Sequence, residues 1–265
     1  MIKLGVNSVL YKAFPFAEAA RAIKLAGYDG LEISAIKGMC EHLYLDDWRS
    51  QKDEILSVME ETGLEMLACE VASRDKERLE QAFEAAAALG IPVINIGPGG
   101  KSDIPEDLEE NIIILDELSA LAGNYGVTLC VKAHVGAAIY NTPTTLATME
   151  RISRPSFGID MDPSHIYRAR ENPQEALPAV ISRVRHIHIR DCKGRGPSPG
   201  LPAMQACGRG DIDLYGYFKA MTDANYSGPV CLEVIGPELT MVEAQTVASE
   251  SYGYMNAILK MLGAR

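Results

Sequence analysis

The sequence predicts an α/β fold, a single (β/α)8 TIM barrel in which residues 1–265 form one domain. Three observations predict it. Apolar strand-like runs alternate with amphipathic helix-like segments from end to end. Small-residue turns recur at intervals of about 27 to 36 residues, the length of a βα unit. The carboxyl end of almost every strand-like run carries a polar side chain, at the end where a barrel keeps its site. The turns fall at 26–30, 62–64, 89–92, 125–127 and 224–228, where glycine supplies a left-handed cap to the preceding helix. A doubly wound sheet alternates in the same way but requires a glycine-rich phosphate loop. Gly97-Pro98-Gly99-Gly100 contains proline and lacks the G-x-G-x-x-G spacing.

Taken in order, strands are expected near residues 2–7, 29–34, 65–70, 92–97, 127–134, 156–162, 184–190 and 229–235. Helices are expected at 16–26, 51–62, 74–89, 105–124, 173–183 and 239–262. In 105–124, Leu108, Ile112, Leu115, Leu118 and Leu121 recur at helical spacing behind Pro105, a residue suited to a first turn. Trp48 opens an amphipathic segment and is expected to pack rather than to recognise a ligand.

The most informative stretch is 184–191. Its alternation puts Val184, His186, His188 and Arg190 on one face and Arg185, Ile187, Ile189 and Asp191 on the other. Two histidines and an arginine on one face of a strand need a polar destination. The remaining histidines, His42, His134 and His165, lie in or just beyond the ends of other runs, so one shared pocket is expected.

Composition excludes several classes. A content of 47% hydrophobic and 23% charged residues is that of a globular protein. A formal charge of −11 gives no footprint for nucleic acid or for an anionic membrane, so a small-molecule substrate is expected. Six cysteines without a C-x-x-C pair read as buried reduced thiols, which points to a cytoplasmic location. The amino terminus runs straight into a strand with no signal peptide, and no apolar run is long enough to span a bilayer.

Read strand by strand, the carboxyl ends offer Asn7, Glu32, Glu70, Asn95, Lys132 with His134, Asp160 with Asp162 and His165, the pair His186 and His188 with Arg190, and Glu233. Asp162, His188 and Glu233 lie on three successive strands. Two carboxylates and an imidazole make a mixed oxygen and nitrogen set suited to Mn²⁺, Mg²⁺, Co²⁺ or Zn²⁺; the same residues also suit an internal hydrogen-bond network around His188.

Asp162-Pro163-Ser164-His165, His186-Ile187-His188-Ile189-Arg190-Asp191 and Cys231-Leu232-Glu233, in this order, resemble the D-x-x-H, H-x-H-x-K-D and L-E signatures of the xylose isomerase-like barrels, and within them the sugar phosphate isomerase/epimerase group. Gly27-Tyr28-Asp29-Gly30-Leu31-Glu32 and the run 208–213 extend the resemblance over most of the chain. It implies a divalent metal held by glutamate, aspartate, histidine and glutamate on strands five to eight. By position these are Lys132, Asp162, His188 and Glu233. Three match and the fourth does not, because lysine stands where the family has a ligating glutamate.

The resemblance further implies an acid/base pair that moves a proton beside a carbonyl, here Lys132 and Glu233. A neutral Lys132 would act beside a three-ligand metal; a charged one would replace the metal, pairing with Asp162 and Glu233, and polarise a substrate oxygen or form a Schiff base. His134 faces the same way and offers a replacement ligand. His165 and Arg190 are expected to hold substrate oxygens, with Glu70, His134, His42 and Arg209 as further contacts. Arg209 follows a Pro/Gly-rich connection, 197–210, suited to a lid.

The resulting expectation is a sugar or polyol isomerase or epimerase acting on a small carbohydrate. The alternatives are a lyase or dehydratase acting on a keto-sugar or inosose, and a non-catalytic sugar-binding subunit whose metal site lysine has replaced. The resemblance also implies assembly as a homo-oligomer. A metal-dependent DNA-repair barrel would need a richer histidine set and a basic groove, which this acidic chain lacks.

Overall fold

Strands such as Val93-Ile94-Asn95-Ile96 and Leu129-Cys130-Val131 have no solvent face, as parallel strands covered on both sides require. A computed structural model describes residues 1–265 and places these strands in a closed barrel. The strands are β1 (Lys3–Asn7), β2 (Gly30–Ile36), β3 (Cys40–Glu41), β4 (Glu65–Glu70), β5 (Val93–Ile96), β6 (Thr128–Lys132), β7 (Phe157–Met161), β8 (Val184–Ile189) and β9 (Pro229–Leu232). Their order is β1-β9-β8-β7-β6-β5-β4-β2, all parallel, and β1 pairs with β2 to close the ring. The two-residue β3 is antiparallel to the end of β2, with Ala35 opposite Glu41.

The helices are α1 (Phe16–Ala26), α2 (Trp48–Thr62), α3 (Lys76–Leu89), α4 (Pro105–Asn124), α5 (Thr142–Arg151), α6 (Pro163–Arg168), α7 (Pro173–Val180), α8 (Leu214–Asp223) and α9 (Met241–Met261). Helix α3 buries Leu79, Ala82, Phe83 and Ala86, spaced three and four apart, on the face toward the sheet. It begins at Asp75, whose side chain accepts the Arg78 N–H at 2.8 Å, and it stops at Gly90, where φ of 73° admits glycine with least strain.

The eight expected strands are present, most of them shorter by up to three residues at an end and β2 running two residues further, to Ile36, and α1 and α4 have the expected bounds. The helix expected from residue 51 starts at Trp48, which is buried, with the Arg49 guanidinium over its ring. Helices α5, α6 and α8 and strand β3 were not given ranges by the pattern. In α5 the inward residues are Thr145 and Thr148, whose hydroxyls donate back to the Asn141 and Thr144 carbonyls at 2.8 and 2.9 Å. Those bonds let threonine face the core without an apolar stripe. All six cysteines are buried free thiols. No helix is long and apolar enough to cross a membrane.

Candidate active site

Register builds the site. Asn7 lies opposite Glu32, Glu70 opposite Asn95, Lys132 opposite Asp160, and Asp160 opposite His186. The inward side chains stack into two polar layers at the carboxyl ends of the strands, where a barrel interior is otherwise apolar.

The lower layer centres on His188. Its Nδ1 donates to Asp160 Oδ2 and its Nε2 to Glu32 Oε2, each at 2.5 Å. Asn95 donates to Glu32 Oε1 at 2.7 Å and Asn7 to Glu32 Oε2 at 3.0 Å, while His186 Nδ1 lies 3.0 Å from Asp160 Oδ1. Burial works against a charged His188, but Asp160 and Glu32 outweigh it and raise its pKa well above the ordinary histidine value. His188 is therefore an imidazolium held between two carboxylates.

The upper layer carries two cations. Lys132 Nζ donates to Glu233 Oε1 at 2.9 Å and to Glu70 Oε1 at 3.1 Å. The Arg190 guanidinium lies 2.7 Å from Asp162 Oδ2 and 3.1 Å from Glu233 Oε2, and donates to Ser164 Oγ at 2.8 Å. Burial disfavours the ammonium, but Glu233 and Glu70 more than offset it and push the Lys132 pKa up. Burial also opposes ionisation of Glu233, yet Lys132 and then Arg190 hold its carboxyl well below the usual range. Glu70 differs: burial, with Glu233 beside it, pushes its pKa up to about 7 despite Lys132.

Above this floor opens a cavity of about 400 Å³, walled by His134 and His165 and by apolar Ile36, Met39 and Ile235. The His134 and His165 rings lie 4.0 Å apart, centre to centre. Burial, and then Arg190, lower the His165 pKa well below the ordinary value; burial and Lys132 lower that of His134. Both rings are neutral donors or acceptors at neutral pH.

Of the residues expected in the pocket, Glu70, Lys132, His134, His165, Arg190 and Glu233 line it. Two others lie elsewhere. His42 points under the β2 end, its Nε2 2.9 Å from the Phe14 carbonyl and its ring against Phe16. Arg209 pairs with Glu250 on the outer face of α9 and donates to Ala203 O at 3.2 Å, so it does not close over the mouth. Its connection is tied down rather than free to swing. Arg168 donates to the Pro197 carbonyl at 2.8 Å, and buried Gln205 donates to the Gly200 and Ile235 carbonyls at 2.9 and 2.6 Å.

The structure does not gather Asp162, His188 and Glu233 around one point. Donor atoms within 4.8 Å of one another occur instead in Glu32-Glu70-His188, Asp160-His186-His188 and Glu32-His186-Cys231. These groups are plausible metal ligands by chemistry. At the position of the expected ion, however, both Glu233 oxygens and Asp162 Oδ2 already face cations, and both His188 nitrogens are engaged by carboxylates. A divalent ion there would meet an ammonium and a guanidinium at short range in a dry site. The residues as arranged do not fit a resident ion at Asp162, His188 and Glu233. A neutral Lys132 is likewise not what its neighbours produce, and its second partner is Glu70, not Asp162.

Sequence reasoning placed Asn7, Glu32, Asn95 and Asp160 at strand ends but gave them no partners; the i, i+2 spacing of Asp160 with Asp162 and of His186 with His188 was the available signal. It missed Arg74, which lines the cavity from the β4–α3 connection.

A closed eight-stranded parallel barrel with its buried polar side chains gathered at the carboxyl ends of its strands is a (β/α)8 barrel with its site at the end where such barrels carry theirs. The family model described as xylose isomerase-like TIM barrel matches residues 20–258, and the chain belongs to that family. An inosose dehydratase of Clostridium perfringens is 23% identical over 88% of this chain and 89% of its own length. An L-ribulose-5-phosphate 3-epimerase of Salmonella typhi is 23% identical over 88% of this chain and 87% of its own. Among solved structures, the IolI protein with a bound zinc atom superposes with a TM-score of 0.81 at 19% identity, over 98% of this chain and 99% of the other, which supports the fold.

Proposed function

We propose that this chain is a sugar or polyol isomerase or epimerase that transfers a proton at the carbon beside a carbonyl, with the Lys132 ammonium as its electrophile. The observation that carries the reading is the Lys132 bridge between Glu70 and Glu233 at the base of the cavity. The names of the relatives, a dehydratase of an inosose and an epimerase of a ketose phosphate, support a polyhydroxylated carbonyl substrate.

The roles follow from charge. Glu70, with its pKa pushed up to about 7, is the better base near neutrality; Glu233, held ionised by two cations, is the weaker one. Glu70 accepts the proton from carbon as the C–H electron pair moves toward the carbonyl oxygen. The Lys132 ammonium then stabilises the resulting enediolate oxygen, and Arg190 with neutral His165 orients neighbouring hydroxyls. Return of the proton to the adjacent carbon, with the neighbouring hydroxyl's proton passing to the former carbonyl oxygen, isomerises the substrate; delivery to the opposite face of the same carbon epimerises it. Because the carboxylates flank the ammonium on two sides, they suit either outcome.

Elimination is the second reading, favoured by the inosose dehydratase relative. It begins with the same proton abstraction but ends with loss of a β-hydroxyl as water. Incubation in D2O with scyllo-inosose, L-ribulose 5-phosphate and D-fructose, followed by proton NMR, tests both. Deuterium washed into the carbon beside the carbonyl is expected, with product loss of water marking the dehydratase. Absence of exchange at every carbon of all three would sink the proposal and favour a sugar-binding subunit.

A further inference from the structure

Every cation at the pocket floor has a carboxylate partner, but Arg74 on the wall has none. It forms no ion pair, whereas Arg78 in the following turn pairs with Glu41 at 3.2 Å. Its single hydrogen bond runs from Nη1 to Asn111 Oδ1 at 2.8 Å. Buried Asn111 is itself fixed: the same Oδ1 accepts the Gly99 N–H at 2.8 Å, and its Nδ2 donates to the Asp107 carbonyl at 2.7 Å.

The arrangement is built for the guanidinium. It lies over Gly99, where an added Cβ would come within 1.9 Å of Arg74 Cζ, so a side chain at 99 would push the guanidinium from this place. Ser73 beside it accepts the Asp75 N–H at its Oγ, at 3.1 Å, which leaves its hydroxyl proton to donate. Both residues line the cavity. An arginine held by a neutral amide keeps its remaining N–H donors and its full charge for a ligand, in a chain whose formal charge is −11.

We infer that the substrate carries an anionic group, a carboxylate or a phosphate ester, away from its reacting carbon, and that Arg74 is the anchor for that group. This rests on the proton-transfer reading of the same cavity and names its substrate class. The floor treats the carbonyl and hydroxyls; the wall selects charge. The fork geometry of a guanidinium accepts two oxygens of either anion.

The test uses three dead-end ligands without a carbonyl, so that binding is read apart from turnover. Ribitol, D-ribonate and ribitol 5-phosphate are titrated calorimetrically into the full chain and into Arg74→Gln and Arg74→Lys variants. One of the anions should bind about 10- to 100-fold more tightly than ribitol. That ratio should collapse in Arg74→Gln and survive in part in Arg74→Lys, and which anion wins identifies carboxylate or phosphate. Equal affinity for all three, binding of none, or a ratio that Arg74→Gln leaves intact overturns the inference. A chain that passes this test yet exchanges no C–H proton would overturn the proton-transfer reading alone.

Discussion

Lys132 Nζ lies 2.9 Å from Glu233 Oε1, so the residue that departs from the metal pattern implied by the resemblance is paired with one that keeps it. The lysine and Arg190 together neutralise Glu233 from two sides and leave Glu70 as the group poised to exchange protons near neutral pH.

Activity should therefore rise with pH through about 7. A carboxyl group raised by burial is protonated below its pKa and accepts a proton only above it, so the active fraction grows as pH increases. A pH profile of deuterium exchange checks the sign. In Glu70→Gln this limb should vanish with most of the rate, and a profile unchanged by the substitution would reassign the base.

Replacing Lys132 by Met leaves Glu70 and Glu233 facing each other without their shared cation. Loss of the electrophile should lower the exchange rate about 10²- to 10³-fold. Loss of one partner from a buried pair should cost about 3–5 kcal/mol of stability, read by denaturant unfolding. A variant that is destabilised but exchanges at the normal rate would make Lys132 structural only.

Phe83 is fully buried where α3 meets the barrel and does not line the cavity. Phe83→Ala should destabilise by about 3–5 kcal/mol through lost burial and a residual cavity. Its effect on KM should be small while the chain is folded, in contrast to the site variants.

The fold was legible because a βα repeat writes two periods into the chain, and glycines such as Gly63 and Gly90 punctuate it. Strand ends were legible for the same reason: Asp160, Asp162, His186, His188 and Arg190 alternate inward, and the structure buries all five. Partnership was less legible. Spacing showed that His188 faces inward, but whether it turns to Asp162 and Glu233 or to Asp160 and Glu32 depends on depth and register across neighbouring strands. Between Ile159 and Asp160 the pairing of β7 with β8 slips by one residue, so that Ile159 lies opposite Val184 and Asp160 opposite His186. His42 and Arg209 misled because a polar residue after a strand can turn away from the mouth, and only Phe14 and Glu250, distant in sequence, decide that they do. Arg74 was missed because an isolated arginine before a helix is ordinary; Asn111 and Gly99 give it meaning.

We propose that the Lys132 ammonium, paired with Glu233 and Glu70, takes the place of a divalent ion at the pocket floor. Elemental analysis of the purified chain beside Lys132→Glu tests it, after exposure of both to Mn²⁺, Zn²⁺ and Co²⁺ and removal of free ion. No stoichiometric metal is expected on the natural chain and about one ion per chain on the variant, which exchanges the ammonium for the carboxylate that the resemblance implies at this position. About one ion per chain retained by the natural protein would contradict it.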